Sequence, residues 1–149
     1  MGTRVLILSA SIGSGHVKAA QAIERAILDL DQNVEVKHED ALDFINPALR
    51  RLCQNTYRDL AHNAPEILGL LYGHAERVWS TQEHGVALER WNSLPLIKVI
   101  TKYNPDIVVS THPQPADMIS WLICKKRLST QNAVVVTDFE LNPLGLCQH

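Results

Sequence analysis

The sequence predicts an α/β fold, a mainly parallel β-sheet flanked by helices. Two observations carry this. Short, continuous apolar runs recur at Val5–Leu8, Ile107–Val109 and Ala133–Val136, and amphipathic helical stretches follow the first two. A parallel strand is covered by helices on both faces and so reads as an unbroken apolar run, whereas a half-exposed strand alternates. The resulting order, β-α-β, then helices, then β-α-β, is that of crossover units building one sheet.

The first run, Val5-Leu6-Ile7-Leu8, is ended by Ser9, Ser11 and Gly13. After the glycines Ala20, Ile23, Ile27 and Leu30 recur at helical spacing, which predicts a helix beginning near His16. Val34 and Val36 alternate with polar neighbours as a second strand, so residues 4–38 form a βαβ unit, whose crossover is expected to be right-handed. Asn46-Pro47 reads as a helix start, with Asn capping and Pro in the first helical position. Leu49, Leu52, Cys53, Tyr57 and Leu60 supply that helix's apolar stripe, and Ala64-Pro65 ends it.

From Pro65 to Leu94 the pattern is mostly helical but is interrupted by Gly69, Gly73 and Gly85. A helix is expected from Pro95 to Tyr103. Asn104-Pro105 stops it ahead of the strand Ile107–Val109. A further amphipathic helix spans Pro115 to Lys126 with Met118, Ile119, Leu122 and Ile123 inward, and Ala133–Val136 is the next strand.

At 149 residues the chain has the size of one domain, residues 1–149. The apolar share of 46% and the charged share of 20% are those of an ordinary globular protein. A formal charge of -2 provides no field to attract nucleic acid, so a DNA or RNA partner is not expected. Cys53, Cys124 and Cys147 lack C-x-x-C spacing and read as inert thiols of a reducing compartment. Val5–Leu8 is too short for a signal-peptide core or a membrane span. The expected location is therefore the cytoplasm, with any membrane contact peripheral.

Ligands of open α/β sheets bind beyond the carboxyl ends of the strands, where three polar loops fall here. They are Ser9 to His16, Ser110 to Pro113, and Thr137-Asp138. Gly13, Ser14 and Gly15 let backbone approach a ligand at a helix N-terminus, a site for an anion or an oxygen. A dinucleotide fingerprint would need glycine where Lys18 stands. A P-loop would place its Gly-Lys-Ser/Thr ending on Lys18-Ala19-Ala20.

His16 reads either as a histidine that caps the helix or pads the turn or, because imidazole accepts a proton near neutral pH and glycines flank it, as the candidate general base. His112, before Pro113, reads equally as turn chemistry or as a substrate contact, and Asp138 as a substrate contact or a helix cap. Thr137 shares that strand end. His38, His62, His74, His84 and His149 show no metal-ligand spacing, and no metal site is expected. Trp79, Trp91 and Trp121 read as core or interface residues, although the first two lie in the glycine-interrupted segment, where an apolar acceptor could enter. Arg50-Arg51 and Lys125-Lys126-Arg127 are either solvated surface or contacts to anionic lipid.

Val5 to His16, followed by Ala19-Ala20-Gln21-Ala22-Ile23, resembles the opening of the monogalactosyldiacylglycerol synthase and bacterial diacylglycerol glucosyltransferase family. Lys102 to Pro113 is similar to that family's second landmark and Val134 to Phe139 to its third. The resemblance implies a Rossmann-like domain, the N-terminal, acceptor-side half of a GT-B type glycosyltransferase. It implies transfer of a hexose from a UDP-sugar to diacylglycerol or a related membrane lipid, with His16 as base and no metal or other cofactor. Gly13, Ser14, Gly15, His112, Thr137 and Asp138 become the expected substrate-binding residues.

The UDP-hexose would be held mainly by a C-terminal domain that this sequence does not include, so the chain reads as truncated and inactive alone. Asn142 and Gly145 stand where the family usually has histidine and tryptophan. A reading from another class is a truncated remnant that only binds lipid or protein. A stand-alone nucleotide binder is disfavoured by the glycine spacing.

Overall fold

The computed structural model describes residues 2–12, 14–63 and 94–137. In chain order these form β1 (Arg4–Ser9), α1 (Ser14–Leu30), β2 (Glu35–Asp40), a 3-10 turn (Ala41–Phe44), α2 (Pro47–Asn63), α3 (Leu94–Tyr103), β3 (Ile107–Ser110), α4 (Pro113–Cys124) and β4 (Gln131–Val134). The four strands make one sheet in the order β2-β1-β3-β4, and every pairing is parallel. The expected Rossmann-like α/β architecture is the observed one.

The strand order fixes where the helices must lie. The chain moves outward from β1 to β2 and then, in the opposite direction, from β3 to β4. Right-handed crossovers running in opposite directions place their helices on opposite faces. That is what the packing shows. Val5, Ile7 and Val109 bury against Ala20 of α1, with Ile23 and Ile27 half-buried around them. Leu6, Leu8 and Val108 bury against Leu96, Ile97 and Ile100 of α3 and Ile119 and Leu122 of α4. Each such aliphatic side chain contributes roughly 1.5–3 kcal/mol relative to leaving it in water. The reversal of winding lies between β1 and β3, and the carboxyl ends of the strands at such a reversal are where open α/β sheets bind ligands.

Several expected boundaries move. Helix α1 begins at Ser14, two residues before His16, and α3 begins at Leu94 rather than Pro95. Helix α4 begins at Pro113 and ends at Cys124, against the expected Pro115 to Lys126. Both prolines fit because the first turn of a helix has no intrahelical use for their missing N–H groups. Strand β4 is Gln131–Val134 rather than Ala133–Val136. Its register follows pairing with β3, and the Gln131 N–H donates to Asp106 O at 2.9 Å. Val136, expected inside the strand, is exposed.

Two helices end in left-handed residues, Asn104 at φ 49° and Lys126 at φ 54°. The N–H of Lys126 bonds Ile123 O and that of Arg127 bonds Leu122 O, both at 2.9 Å, which closes the carboxyl end of α4. Among the described residues no helix is long and apolar enough to cross a membrane. Gly13, the apolar stripe of α2, the segment from Pro65 with Trp79 and Trp91, and Asp138 with Asn142 and Gly145 lie outside the described residues or side chains.

Candidate active site at the switch point

The loops after β1 and β3 meet at the reversal, each delivering a histidine on the first turn of a helix or just before it. The ring centroids of His16 and His112 are 4.7 Å apart, with planes 78° to one another, an edge-to-face pair. Thr137, three residues beyond β4, completes the group: its Oγ1 lies 2.8 Å from His16 Nδ1. Three of the expected site residues, distant in sequence, are thus brought together, with Ser14 and Gly15 exposed at the entrance of α1.

His16 Nδ1 also lies 2.7 Å from the backbone carbonyl of Thr111. A carbonyl oxygen can only accept, so Nδ1 carries the proton and donates it. The basic lone pair of the neutral ring is therefore on Nε2. Thr111 grips the same residue a second time, its Oγ1 donating to His16 O at 2.9 Å. Thr111 is itself buried, and its N–H bonds Leu8 O at 2.9 Å, so the grip is anchored in the sheet.

His112 is arranged the opposite way. It is the N-cap of α4, with Nδ1 accepting from the Gln114 N–H at 3.2 Å. An accepting Nδ1 leaves the proton of the neutral ring on Nε2. Burial, and then the charge of His16, lower its pKa to about 4, with Asp40 acting weakly in the other direction. At neutral pH His112 places no charge beside His16.

A family model for monogalactosyldiacylglycerol (MGDG) synthase matches residues 16–144. The chain belongs to that family. Relatives include the processive diacylglycerol beta-glucosyltransferases of Staphylococcus aureus strains JH9, Newman and Mu3, each 23% identical over 141 residues. The match covers 93% of this chain but 34% of each relative, so the chain spans about a third of their length. No solved structure gives a significant match.

In this MGDG synthase family chain the loop after β1 is braced from β2 and α2 by residues that the sequence alone did not single out. Asp40, at the end of β2, accepts from the N–H of Ser11 at 3.1 Å and from that of Leu42 at 2.9 Å. Gln54 of α2 donates to Ser11 O at 3.2 Å and to Ser11 Oγ at 3.1 Å. Arg50, weighed as a lipid contact, is held by ion pairs to Asp43 and, at 4.0 Å, to Asp40. His38 is partnered too, through Ser9 Oγ at 2.8 Å and Glu24 at 3.8 Å.

Gly15 has no positive φ and lies inside α1, so no special backbone conformation requires glycine there. A side chain added there would meet open space, so its contribution is an uncovered helix entrance rather than a special backbone turn. Thr111 had a sequence signal, a polar residue directly after an apolar strand, but its grip on a residue 95 positions away did not. Among the described residues no cluster of three metal-ligating side chains occurs.

Proposed function

We propose that this chain is the acceptor-side domain of a GT-B type glycolipid glycosyltransferase that moves a hexose from a UDP-sugar to diacylglycerol. The observation that carries the reading is the imidazole of His16, anchored through Nδ1 at the winding reversal with Nε2 left as the base. A lipid hydroxyl is a weak nucleophile and gains from losing its proton as the anomeric bond breaks. In the step, the hydroxyl proton passes to His16 Nε2 and the hydroxyl oxygen bonds to the anomeric carbon. The bond from that carbon to the donor's phosphate oxygen breaks, its electron pair leaving with the diphosphate. Ser14 and Gly15, in the first turn of α1, offer N–H groups to oxygens of the acceptor, and His112 and Thr137 flank it.

Residues 1–149 would then be one domain, with the UDP-hexose held mainly by a second Rossmann domain. No cofactor enters this scheme. The membrane surface is reached peripherally from the cytoplasm, with Lys125, Lys126 and Arg127, all exposed, attracting anionic lipid in a salt-sensitive way.

The test is transfer of labelled hexose from UDP-glucose or UDP-galactose to diacylglycerol, measured on the complete gene product. His16→Ala should lower turnover by about 10²–10⁴-fold. Unchanged turnover in that variant would end the base assignment. Calorimetry on the 149-residue chain alone should detect no saturable UDP-sugar binding, and tight binding would overturn the division of labour. A complete product that binds diacylglycerol saturably yet transfers nothing would mark a lipid-binding module instead.

A further inference from the structure

His16 is held by two threonines, and the two holds have different consequences. Thr111 O is 2.7 Å from His16 Nδ1, and Thr111 Oγ1 is 2.9 Å from His16 O. The first contact discriminates between tautomers. Were the proton on Nε2, the Nδ1 lone pair would face the carbonyl lone pairs at that distance, a repulsion in place of a bond. The second contact fixes the backbone from which the ring projects, so that ring and carbonyl stay in register. Thr137 Oγ1, at 2.8 Å from Nδ1, is a hydroxyl and can accept or donate; it follows the tautomer and steadies the ring.

We propose that Thr111 is the positioning residue of the base, clamping His16 at both backbone and ring so that the Nδ1–H tautomer prevails, with Thr137 as a second support. The inference rests on His16 being the base of the proposed transfer. Thr111 is buried and acts through His16. The effect is that the lone pair of His16 is delivered on Nε2 in the dominant neutral form. In metal sites and acid–base centres alike, the partner of one imidazole nitrogen decides what the other nitrogen can do.

The test reads the tautomer directly and needs no transferase activity. Long-range ¹⁵N–¹H correlation of the imidazoles in the ¹⁵N-histidine-labelled chain, with His16 assigned by its loss in His16→Gln, should show Nδ1–H as the dominant neutral form. Thr111→Val, which keeps the side-chain shape and removes the hydroxyl, should shift the tautomer ratio about fivefold toward Nε2–H, the scale set by one neutral hydrogen bond. Thr111→Ser should restore it, and Thr137→Val, which removes a hydroxyl that fits either tautomer, should leave it close to the parent value. A threonine that merely fills space would leave the ratio alone.

A dominant Nε2–H form in the parent overturns the clamp outright. So does an unchanged ratio in a folded Thr111→Val chain or, if that variant does not fold, in Thr111→Ala. Loss of transfer in His16→Ala alongside a failed tautomer test would leave the base and remove only the clamp. The reverse outcome would leave the clamp and remove the base.

Discussion

The two βα units that meet at the reversal, β1 with α1 and β3 with α4, share one plan and divide the labour. Helix α4 buries Pro115, Ala116, Ile119 and Leu122, whereas α1 fully buries only Ala20. The histidine of the second unit turns back onto its own helix as a cap, while that of the first is held by the other unit, through Thr111. A well-packed unit thus supplies a fixed frame, and a lightly packed one carries the histidine proposed as the base. Two histidines in similar loops acquire opposite proton placements from their partners alone.

The largest expected effect tests the packing half of this contrast. Ile119→Ala removes a fully buried side chain from the cluster with Leu8, Val108 and Ile100, and should cost about 2–5 kcal/mol of unfolding free energy. Ile23→Ala, on the half-buried face of α1, should cost clearly less, roughly 1–2 kcal/mol. Urea unfolding of both variants decides it. Equal losses would mean that the first unit is no lighter than the second.

The capping histidine gives the contrast a pH signature. Its pKa is about 4 in the folded chain against an ordinary 6.5, lowered first by burial and next by the charge of His16. Between those values the unfolded chain takes up a proton that the folded chain refuses, so stability falls as pH drops through this window and levels off below it. By linkage the full effect is on the order of 3 kcal/mol. His112→Asn keeps a side-chain acceptor for the N-cap and removes the titration, so its stability should match the parent near neutral pH within about 1 kcal/mol and exceed it near pH 4.5. Parallel pH profiles for the two chains would break the assignment of this slope to His112.

What the residues alone revealed follows the range of the forces involved. Apolar runs marked β1 and β3, and 3.6-residue periodicity marked α1 and α4, because both record burial within a single element. His16, His112 and Thr137 were legible as strand-end polar residues, and the fold class implied that such ends converge. The strand order was not legible: nothing in Ile107-Val108-Val109 says that β3 lies beside β1 rather than β2. The limits of β4 came from its pairing with β3, against the apolar pattern Ala133–Val136, because hydrogen-bond register outweighs composition at the sheet's edge. The holds made by Thr111, Asp40 and Gln54 were not legible because each acts through backbone groups of distant residues, which leave no imprint on side-chain spacing.

The smallest expected effect lies at the far end of the second unit. Lys126 closes α4 in the left-handed region at φ 54°, an exposed position normally taken by glycine or asparagine. The other such helix end, after α3, does use asparagine, Asn104. Holding a lysine there costs about 1–2 kcal/mol through crowding of its Cβ. Glycine removes that cost but gives the unfolded chain extra freedom worth roughly 0.5–1 kcal/mol. The balance favours Lys126→Gly by a few tenths to about 1 kcal/mol, read as a raised urea midpoint at unchanged slope. Lys125→Gly, one residue earlier at φ -79°, relieves nothing and should destabilise by a comparable amount. Because Ile123 O and Leu122 O receive their bonds from backbone N–H groups, the closure of α4 survives either change. A gain at Lys126 with a loss at Lys125 would locate the strain at the exit of the frame unit, well away from the histidine it supports; losses at both would show that the lysine side chain contributes more than its backbone angle costs.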